Sequence, residues 1–229
     1  MPDSSLSFCA TLVRDHDYDR YLCTLFAPPP AREDWFALCA FNHEVAAIAE
    51  SVKEEMIAFV RFAWWREALD EIYAGGKVRK HPVAEALAVT IRRHALPRPL
   101  FDEMLEARQA RLVDEAFTSR EQWEAYFRAT SSSLLALCAQ AAGTQATAGV
   151  GALGVTWGAL GTARLGNETA TMLELAEEQL QQAKGLPACL AAFRDAAHFY
   201  LNRMKKGKAT GREARFWLTL YICRKRLFG

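Results

Sequence analysis

The sequence lacks the arrangements of cysteine that build zinc sites or disulfide frameworks. Its six cysteines stand at positions 9, 23, 39, 138, 189 and 223, without a C-x-x-C pair, and they do not cluster with the histidines. Such dispersed cysteines are typical of an intracellular protein with reduced thiols. We therefore expect free, buried thiols in a reducing compartment.

The sequence also lacks the common catalytic motifs: Gly-x-Ser-x-Gly, His-Glu-x-x-His and the P-loop do not occur. Residues 149–154 match G-x-G-x-x-G, but no buried strand precedes them, so the match is interpreted as accidental. Residues 15–19 have the D-x-D-x-D rhythm of a calcium loop, but Arg20 and Phe26 stand where that loop needs glycine and glutamate. We interpret this segment as an acidic turn.

Long apolar runs are missing as well. Residues 129–163 contain no Asp, Glu, Lys or Arg, but glycine, serine and threonine interrupt them, so no window of about 20 residues is consistently apolar. The N-terminus has no basic stretch followed by an apolar core. The sequence predicts no transmembrane helix and no signal peptide. The location we expect is the cytoplasm, either free or peripheral to the inner membrane, or an organelle that holds the mature form.

Charge is unevenly distributed along the chain. Residues 203–229 contain nine Lys or Arg against Glu213 alone, a net charge of +8, so the rest of the chain carries −7. Such a basic terminal helix contacts anionic membranes or acidic partners, or is simply solvated. The sequence has no recognisable nucleic-acid-binding motif, so binding of nucleic acid is not expected.

Apolar residues recur at helical spacing almost everywhere, and strict alternation is hard to find. A clear stripe consists of Leu38, Phe41, Val45, Ile48 and Val52. The pattern predicts an all-α, single-domain helical bundle over residues 1–229.

Proline, glycine and capping residues predict where the helices begin and end. One helix runs from about residue 54 to 73 before two glycines, the next begins at Pro82, and another follows Pro97. Ser119 with Gln122 and Thr210 with Glu213 have capping-box spacing. Short connections of this kind predict antiparallel neighbouring helices.

Several ordered segments carry a family resemblance: residues 21–28 (YLCTLFAP), 37–42 (ALCAFN), 64–75 (WWREALDEIYAG) and 81–87 (HPVAEAL), followed by 101–108 (FDEMLEAR) and 123–126 (WEAY). Together they resemble the squalene/phytoene synthase family over a little more than half of the chain. The resemblance implies the isoprenoid-synthase fold, shortened in its C-terminal half.

Enzymes of that family join prenyl diphosphates with magnesium held by two aspartate-rich motifs. At the first motif this chain has His43 in place of an arginine, Ala46 and Ala47 in place of two aspartates, and only Glu50 as an acid. Alanine offers no oxygen ligand to magnesium. The second motif is missing after residue 163, and Glu174, Glu177 and Glu178 are either substitutes for it or a solvated helix face.

The resemblance therefore implies a non-catalytic member without metal or other cofactor. The sequence segments of this chain are most similar to those of the branch that acts in respiratory complex I assembly. This similarity implies a respiratory-complex or membrane-protein partner and an isoprenoid or lipid ligand. The alternative is an active head-to-head prenyltransferase with a rearranged magnesium site.

Six residues are candidates to line the remaining pocket. Aromatic rings offer apolar walls, and an arginine offers a partner for an acid or a headgroup oxygen. The simpler interpretation is that Trp65 packs in the core and Arg66 pairs with Asp70 one turn on. The six candidates are Tyr21, His43, Glu44, Glu50, Trp65 and Arg66.

Overall fold

The computed structural model describes residues 7–51, 54–113, 117–166 and 169–227 and, within them, every side chain except those of residues 49–51, 113 and 212. These residues form helices and no strand, which confirms the all-α fold. The α-helices are α1 (Phe8–His16), α2 (Tyr18–Leu25), α3 (Arg32–Ser51), α4 (Glu55–Tyr73), α5 (Pro82–His94), α6 (Arg98–Val113), α7 (Arg120–Phe127), α8 (Ser133–Ala141), α9 (Ala148–Arg164), α10 (Thr169–Gln182), α11 (Ala191–Lys205) and α12 (Arg212–Leu227).

Helix α3 runs through the bundle and contacts α1, α2, α4, α5, α6 and α8. The predicted stripe is buried at Leu38, Phe41, Val45 and Ile48, while Val52 lies outside the described residues. A helix that packs on several sides needs such a wide apolar surface. This helix therefore fixes where its neighbours, and the polar residues they carry, come together.

Most predicted helix ends are confirmed. Helix α4 ends at Tyr73, α5 begins at Pro82, and the capping box of Ser119 and Gln122 forms at the start of α7. The predicted cap at Thr210 is wrong by one residue, because α12 begins at Arg212. The carbonyl of Gly211 accepts the hydrogen bond from the Arg215 N–H at 3.4 Å, so Gly211 occupies the N-cap.

Helices α7 and α8 are joined by a π-helical turn at Arg128–Ser132, which packs closely against α9. A Cβ added at Gly154 would lie 2.3 Å from the Cα of Ser132, and one at Gly158 would lie 2.3 Å from the ring of Phe127. Only glycine permits this approach. The charge-free stretch of the sequence thus forms closely packed helices through its small residues.

The six cysteines are free, as predicted. Four of them are buried as predicted, whereas Cys189 and Cys223 are half-buried, and burial, the largest effect, raises the pKa of Cys9 to about 11. The buried four are Cys9, Cys23, Cys39 and Cys138. As for the membrane, the described part of the chain contains no helix that is both long and apolar enough to span a bilayer.

Candidate functional site

A cavity of about 510 Å³ lies where α1 and α2 meet, between α3, α6, α9, α11 and the start of α12. Its walls combine aromatic and small apolar residues with an unusual number of charged groups. The charged and histidine side chains that line it are His16, Asp17, Asp19, Arg20, His43, Arg108, Arg164 and Arg215.

Asp17 and Arg20 form the first ion pair of the cavity. The Asp17 carboxylate caps α2 by accepting from the Arg20 N–H at 3.2 Å, and the same carboxylate pairs with the Arg20 guanidinium. That guanidinium lies 5.3 Å from the centre of the Trp157 ring, within cation–π range. Asp17 is thus used both as a helix cap and as a counter-ion.

Asp19, which is buried, forms the second ion pair. Its Oδ2 lies 2.6 Å from Nη1 of Arg164, and its Oδ1 accepts from the Tyr200 hydroxyl at 2.8 Å. Burial, followed by the negative charge of Asp19, raises the pKa of Tyr200 above its ordinary value. Tyr200 therefore remains a neutral donor, and both oxygens of Asp19 are engaged inside the protein.

The other basic groups of the cavity make contacts with neutral side chains and rings. Arg108 donates to Oδ1 of Asn42 at 2.7 Å, and Arg215 lies with its guanidinium 5.7 Å from the centre of the Tyr18 ring. The rings of His16 and His43 stack at 4.6 Å between their centroids. Among the described side chains, four arginines and two aspartates line the cavity.

This balance of charge differs from that of a magnesium site, which needs several carboxylate or carbonyl oxygens around one ion. Ala46, at one of the positions where the family resemblance implies an aspartate, lines the cavity. Among the described residues, no group of three His, Cys, Asp or Glu is placed to hold a metal ion. What the walls can bind is an anion, because arginines present several charged donors.

The structure brings one of the six predicted pocket residues, His43, to the cavity. Tyr21 stacks on Phe36, and Glu44 is a half-buried residue of α3 outside the cavity lining. The side chain of Glu50 lies outside the described part of the structure.

Trp65 and Arg66 also lie away from the cavity. Trp65 is 3% exposed, with its ring against Phe41 and His81 at 5.2 Å and 5.4 Å between centroids. Arg66 is half-buried on α4, and Asp70 pairs with Arg98 at 2.7 Å. Trp65 packs in the core, as the simpler interpretation expected. The expected pair of Arg66 and Asp70 is replaced by the pair of Arg98 and Asp70.

The glutamates weighed as substitutes for the second aspartate-rich motif lie on a surface helix. Glu178 pairs with Arg120, and Glu177 pairs with Lys205 at 2.7 Å. Glu174 is exposed. None of the three is among the residues that line the cavity, which agrees with a solvated helix face.

Sequence reasoning missed most of the cavity. Its best available signal was the D-x-D-R order of residues 17–20, which we had interpreted as an acidic turn. An aspartate directly before an arginine in a short helix is an ordinary surface pattern. The partners, Arg164 and Tyr200, stand 145 and 181 residues away from Asp19, so no local pattern points to them.

Comparison with known proteins places these observations in a family. The family model described as squalene/phytoene synthase matches residues 13–218. The complex I assembly factor 6 of Bos taurus is 38% identical over 130 residues, and that of Homo sapiens is 35% identical over 130 residues. Each alignment covers 57% of this chain and 39% of the relative, so the chain matches well under half of the length of these relatives.

Two solved structures have the same fold. A dehydrosqualene synthase in complex with a ligand superposes with a TM-score of 0.71 at 14% identity, covering 95% of both chains. A squalene synthase from Alicyclobacillus acidocaldarius superposes with a TM-score of 0.59 at 22% identity, covering 96% of this chain and 89% of the other. At these identities the superpositions show the fold alone, which is that of the isoprenoid synthases. Whether the C-terminal half is shortened stays a prediction.

Proposed function

Because this chain belongs to the squalene/phytoene synthase family, we propose that it is a non-catalytic member that acts in the assembly of respiratory complex I. The relatives that share 35% to 38% of its aligned residues are named as complex I assembly factors, which supports the proposal. The cavity also supports it, because its described side chains carry more positive than negative charge, whereas a magnesium site needs several carboxylate or carbonyl oxygens.

The observation that carries the proposal is the occupation of both cavity aspartates. Asp17 pairs with Arg20, and Asp19 pairs with Arg164 and Tyr200. Metal ligands must present free oxygen lone pairs, and a magnesium ion here would also meet repulsion from four arginines. The described side chains would therefore hold no metal cluster to neutralise a departing diphosphate.

An activity assay tests the non-catalytic part. Purified protein with magnesium and farnesyl or geranylgeranyl diphosphate should release no inorganic diphosphate above the blank. Release that depends on magnesium would establish the alternative, a prenyltransferase with a rearranged metal site. The arginines of the cavity favour that alternative to the extent that they would attract a diphosphate.

A genetic experiment tests the assembly part. The gene is deleted in the organism that encodes it, and complex I is quantified by native gel electrophoresis and NADH oxidation in isolated membranes. We expect reduced complex I, restored by the wild-type gene, with the other respiratory complexes unchanged. Normal complex I in the deletion strain would contradict the proposal.

The proposal includes contact with an anionic membrane surface through α12. Phe216 and Trp217 are 61% and 48% exposed, and Leu220 lies on the same exposed face. The exposed Arg224 follows one turn later, and Lys206 and Lys208 precede the helix. Exposed aromatic residues beside basic ones are typical of helices that lie at a lipid interface.

Vesicle sedimentation tests this contact. The wild-type protein should sediment with vesicles that contain phosphatidylglycerol and less with vesicles of phosphatidylcholine alone. The double substitution of Phe216 and Trp217 by alanine should weaken sedimentation, whereas Met56→Ala, at an exposed residue on α4, should not. Equal loss in both variants would contradict a role for α12.

A further inference from the structure

A groove of about 480 Å³ lies where the C-terminal ends of α4 and α5 meet. It is bounded on one side by the last turn of α4 and Gly75, and on the other by the last turn of α5 with Ala95 and Leu96. Among the described residues, its lining shares none with the central cavity or with α12. The groove is therefore a separate feature of the protein surface.

The floor of the groove is apolar. The buried residues Ile72, Ile91 and Leu96 form it, and the half-buried Tyr73 also lines the groove. The Tyr73 hydroxyl donates to the Leu96 carbonyl at 2.8 Å, so its polar end is already engaged inside the protein. Such a floor suits an apolar side chain better than a polar group.

Arg92 is the charged residue of the lining. Its Nη2 donates to the carbonyl of Gly76 at 2.8 Å, which fixes the exposed guanidinium at the rim. Within the part of the chain that the structure describes, no carboxylate pairs with Arg92. Its guanidinium therefore presents donors that a carboxylate of another molecule can accept from. Each neighbouring arginine is instead held by a carboxylate: Arg79 by Glu71 at 2.7 Å, Arg93 by Asp34 at 2.9 Å and Arg98 by Asp70 at 2.7 Å.

The backbone of Ala95 distinguishes the same groove. Its φ of 48° lies in the left-handed region, and among the described residues it is the only residue other than glycine with a positive φ. A side chain is strained in this conformation, and such strain is concentrated at functional sites. Glycine would serve better as a plain helix cap, whereas alanine adds a methyl group to the groove wall. The position thus favours a role for this wall beyond ending α5.

The helix ends at the groove favour a peptide over a simple anion. The last carbonyls of an α-helix have no donor within the helix, and α4 and α5 end here at Tyr73 and His94. Backbone N–H groups of a peptide can donate to such carbonyls, whereas a bare carboxylate is repelled by them. The partial negative charge of one helix end is about half of an elementary charge, and Arg92 in the last turn of α5 outweighs it there. The groove thus suits an occupant with N–H donors, a carboxylate and an apolar side chain.

We infer that this groove docks an acidic peptide segment of a partner protein. An aspartate or glutamate of the segment accepts from the Arg92 guanidinium, and a neighbouring apolar side chain lies on Ile72, Ile91 and Leu96. Arginine suits a carboxylate because its planar donors reach both oxygens at once. Neither the central cavity nor α12 takes part, so this docking role goes beyond the proposed function.

The direct test is a titration of the isotope-labelled full chain, followed by NMR through its backbone amide signals. The probe is the blocked pentapeptide Gly-Leu-Glu-Leu-Gly, and a matched peptide carries glutamine in place of glutamate. We expect the glutamate peptide to shift the amide signals of Gly75, Gly76 and Ala95, while the signal of Gly211 at the central cavity stays in place. The glutamine peptide should bind about 10-fold more weakly, because it lacks the charge-assisted hydrogen bond.

Two variants locate the charge that the peptide recognises. Arg92→Gln should weaken binding of the glutamate peptide about 10-fold and remove the preference for glutamate over glutamine. Arg61→Gln, which should bind like the wild type, is the matched control, because Arg61 is an exposed arginine of α4 outside the groove lining. Thermal melting shows whether both variants retain the wild-type midpoint.

Four results would overturn the inference: groove amides that do not shift, equal affinity for the two peptides, unchanged affinity in Arg92→Gln, or equal loss in Arg61→Gln. The first two are read on the wild-type protein, so they do not depend on how well a variant folds. Sodium octanoate, which has a carboxylate and an apolar chain but no N–H group, tests the choice of a peptide. Weaker binding of octanoate supports a peptide, and binding as tight as that of the glutamate peptide overturns it. Neither a membrane nor complex I enters these titrations, so their failure would leave the assembly role intact.

Discussion

Two regions of this bundle contrast in how they use polar residues. The region around α4 and α5 packs Trp65, Phe41 and His81 into a continuous aromatic core. The cavity between α2, α9 and α12 keeps arginine and aspartate side chains in the interior. Two of the segments that resemble the family, residues 64–75 and 81–87, lie in the first region, and the buried charges that distinguish this chain lie in the second. In this protein, the motifs shared with the family therefore indicate the fold more than the functional site.

The largest effect is expected in the aromatic core. Trp65→Ala should lower the free energy of unfolding by about 3–5 kcal/mol, because it leaves a large hole in a packed interior. Trp217→Ala, at an exposed tryptophan, should change it by about 0.5 kcal/mol. Urea denaturation measures both. A small effect of Trp65→Ala would show that this region is not a tightly packed aromatic core.

The close packing of α9 behind the cavity should be the next most sensitive feature. Gly154→Ala places a Cβ 2.3 Å from the Cα of Ser132, and we expect a loss of about 1–3 kcal/mol. Gly161→Ala is the control on the same helix: its Cβ meets no atom within 4 Å, so a gain of up to about 1 kcal/mol is expected. Thermal melts of the two variants should move in opposite directions.

The cavity itself should respond in stability and in binding. Asp19→Asn removes the counter-charge of Arg164 and should cost about 2 kcal/mol, less than a fully buried pair because the Arg164 side chain is 24% exposed. The same substitution makes the cavity more positive, so affinity for diphosphate in EDTA should rise. Asp15→Asn, at an exposed neighbouring pair, should change neither quantity measurably. Weaker binding in Asp19→Asn would contradict an anion site.

The smallest effect concerns pH. Burial, then the charges of Lys225 and Arg194, lowers the pKa of His198, while Asp195 opposes this shift. The unfolded chain binds the proton more readily, so the contribution of His198 is complete above the ordinary pKa of about 6.5 and is lost as pH falls toward the lowered pKa. Unfolding curves between pH 7.5 and 5 should show a shallower decline in His198→Gln than in wild type. An identical decline of stability with pH in wild type and His198→Gln would contradict a lowered pKa of His198.

The sequence was sufficient for the fold because helical periodicity and helix ends are local properties. Three features could each be recognised from a few neighbouring residues: the stripe of α3, the proline at the start of α5 and the capping box at Ser119. The start of the last helix was missed by one residue, at Gly211 instead of Thr210, since glycine and threonine both serve as N-caps.

The cavity could not be predicted in the same way. It depends on residues such as Asp19, Arg164 and Arg215, which are far apart in the chain and belong to three different helices. A charged residue on a helix is normally solvated, so nothing in its neighbourhood shows that it will be buried. The absence of the aspartate-rich motif was visible in the sequence, but the arginines that stand in the cavity in its place were not.

The position of Trp157 has a practical consequence. Its indole forms part of the cavity wall, lies beneath the guanidinium of Arg20 and donates its Nε1 hydrogen bond to the carbonyl of Phe193 at 3.1 Å. Indole emission depends on nearby charge, so a molecule that enters and draws Arg20 aside will alter the fluorescence of the native protein. The chain thus contains its own optical reporter of occupancy, and ligand libraries can be screened without attaching a dye.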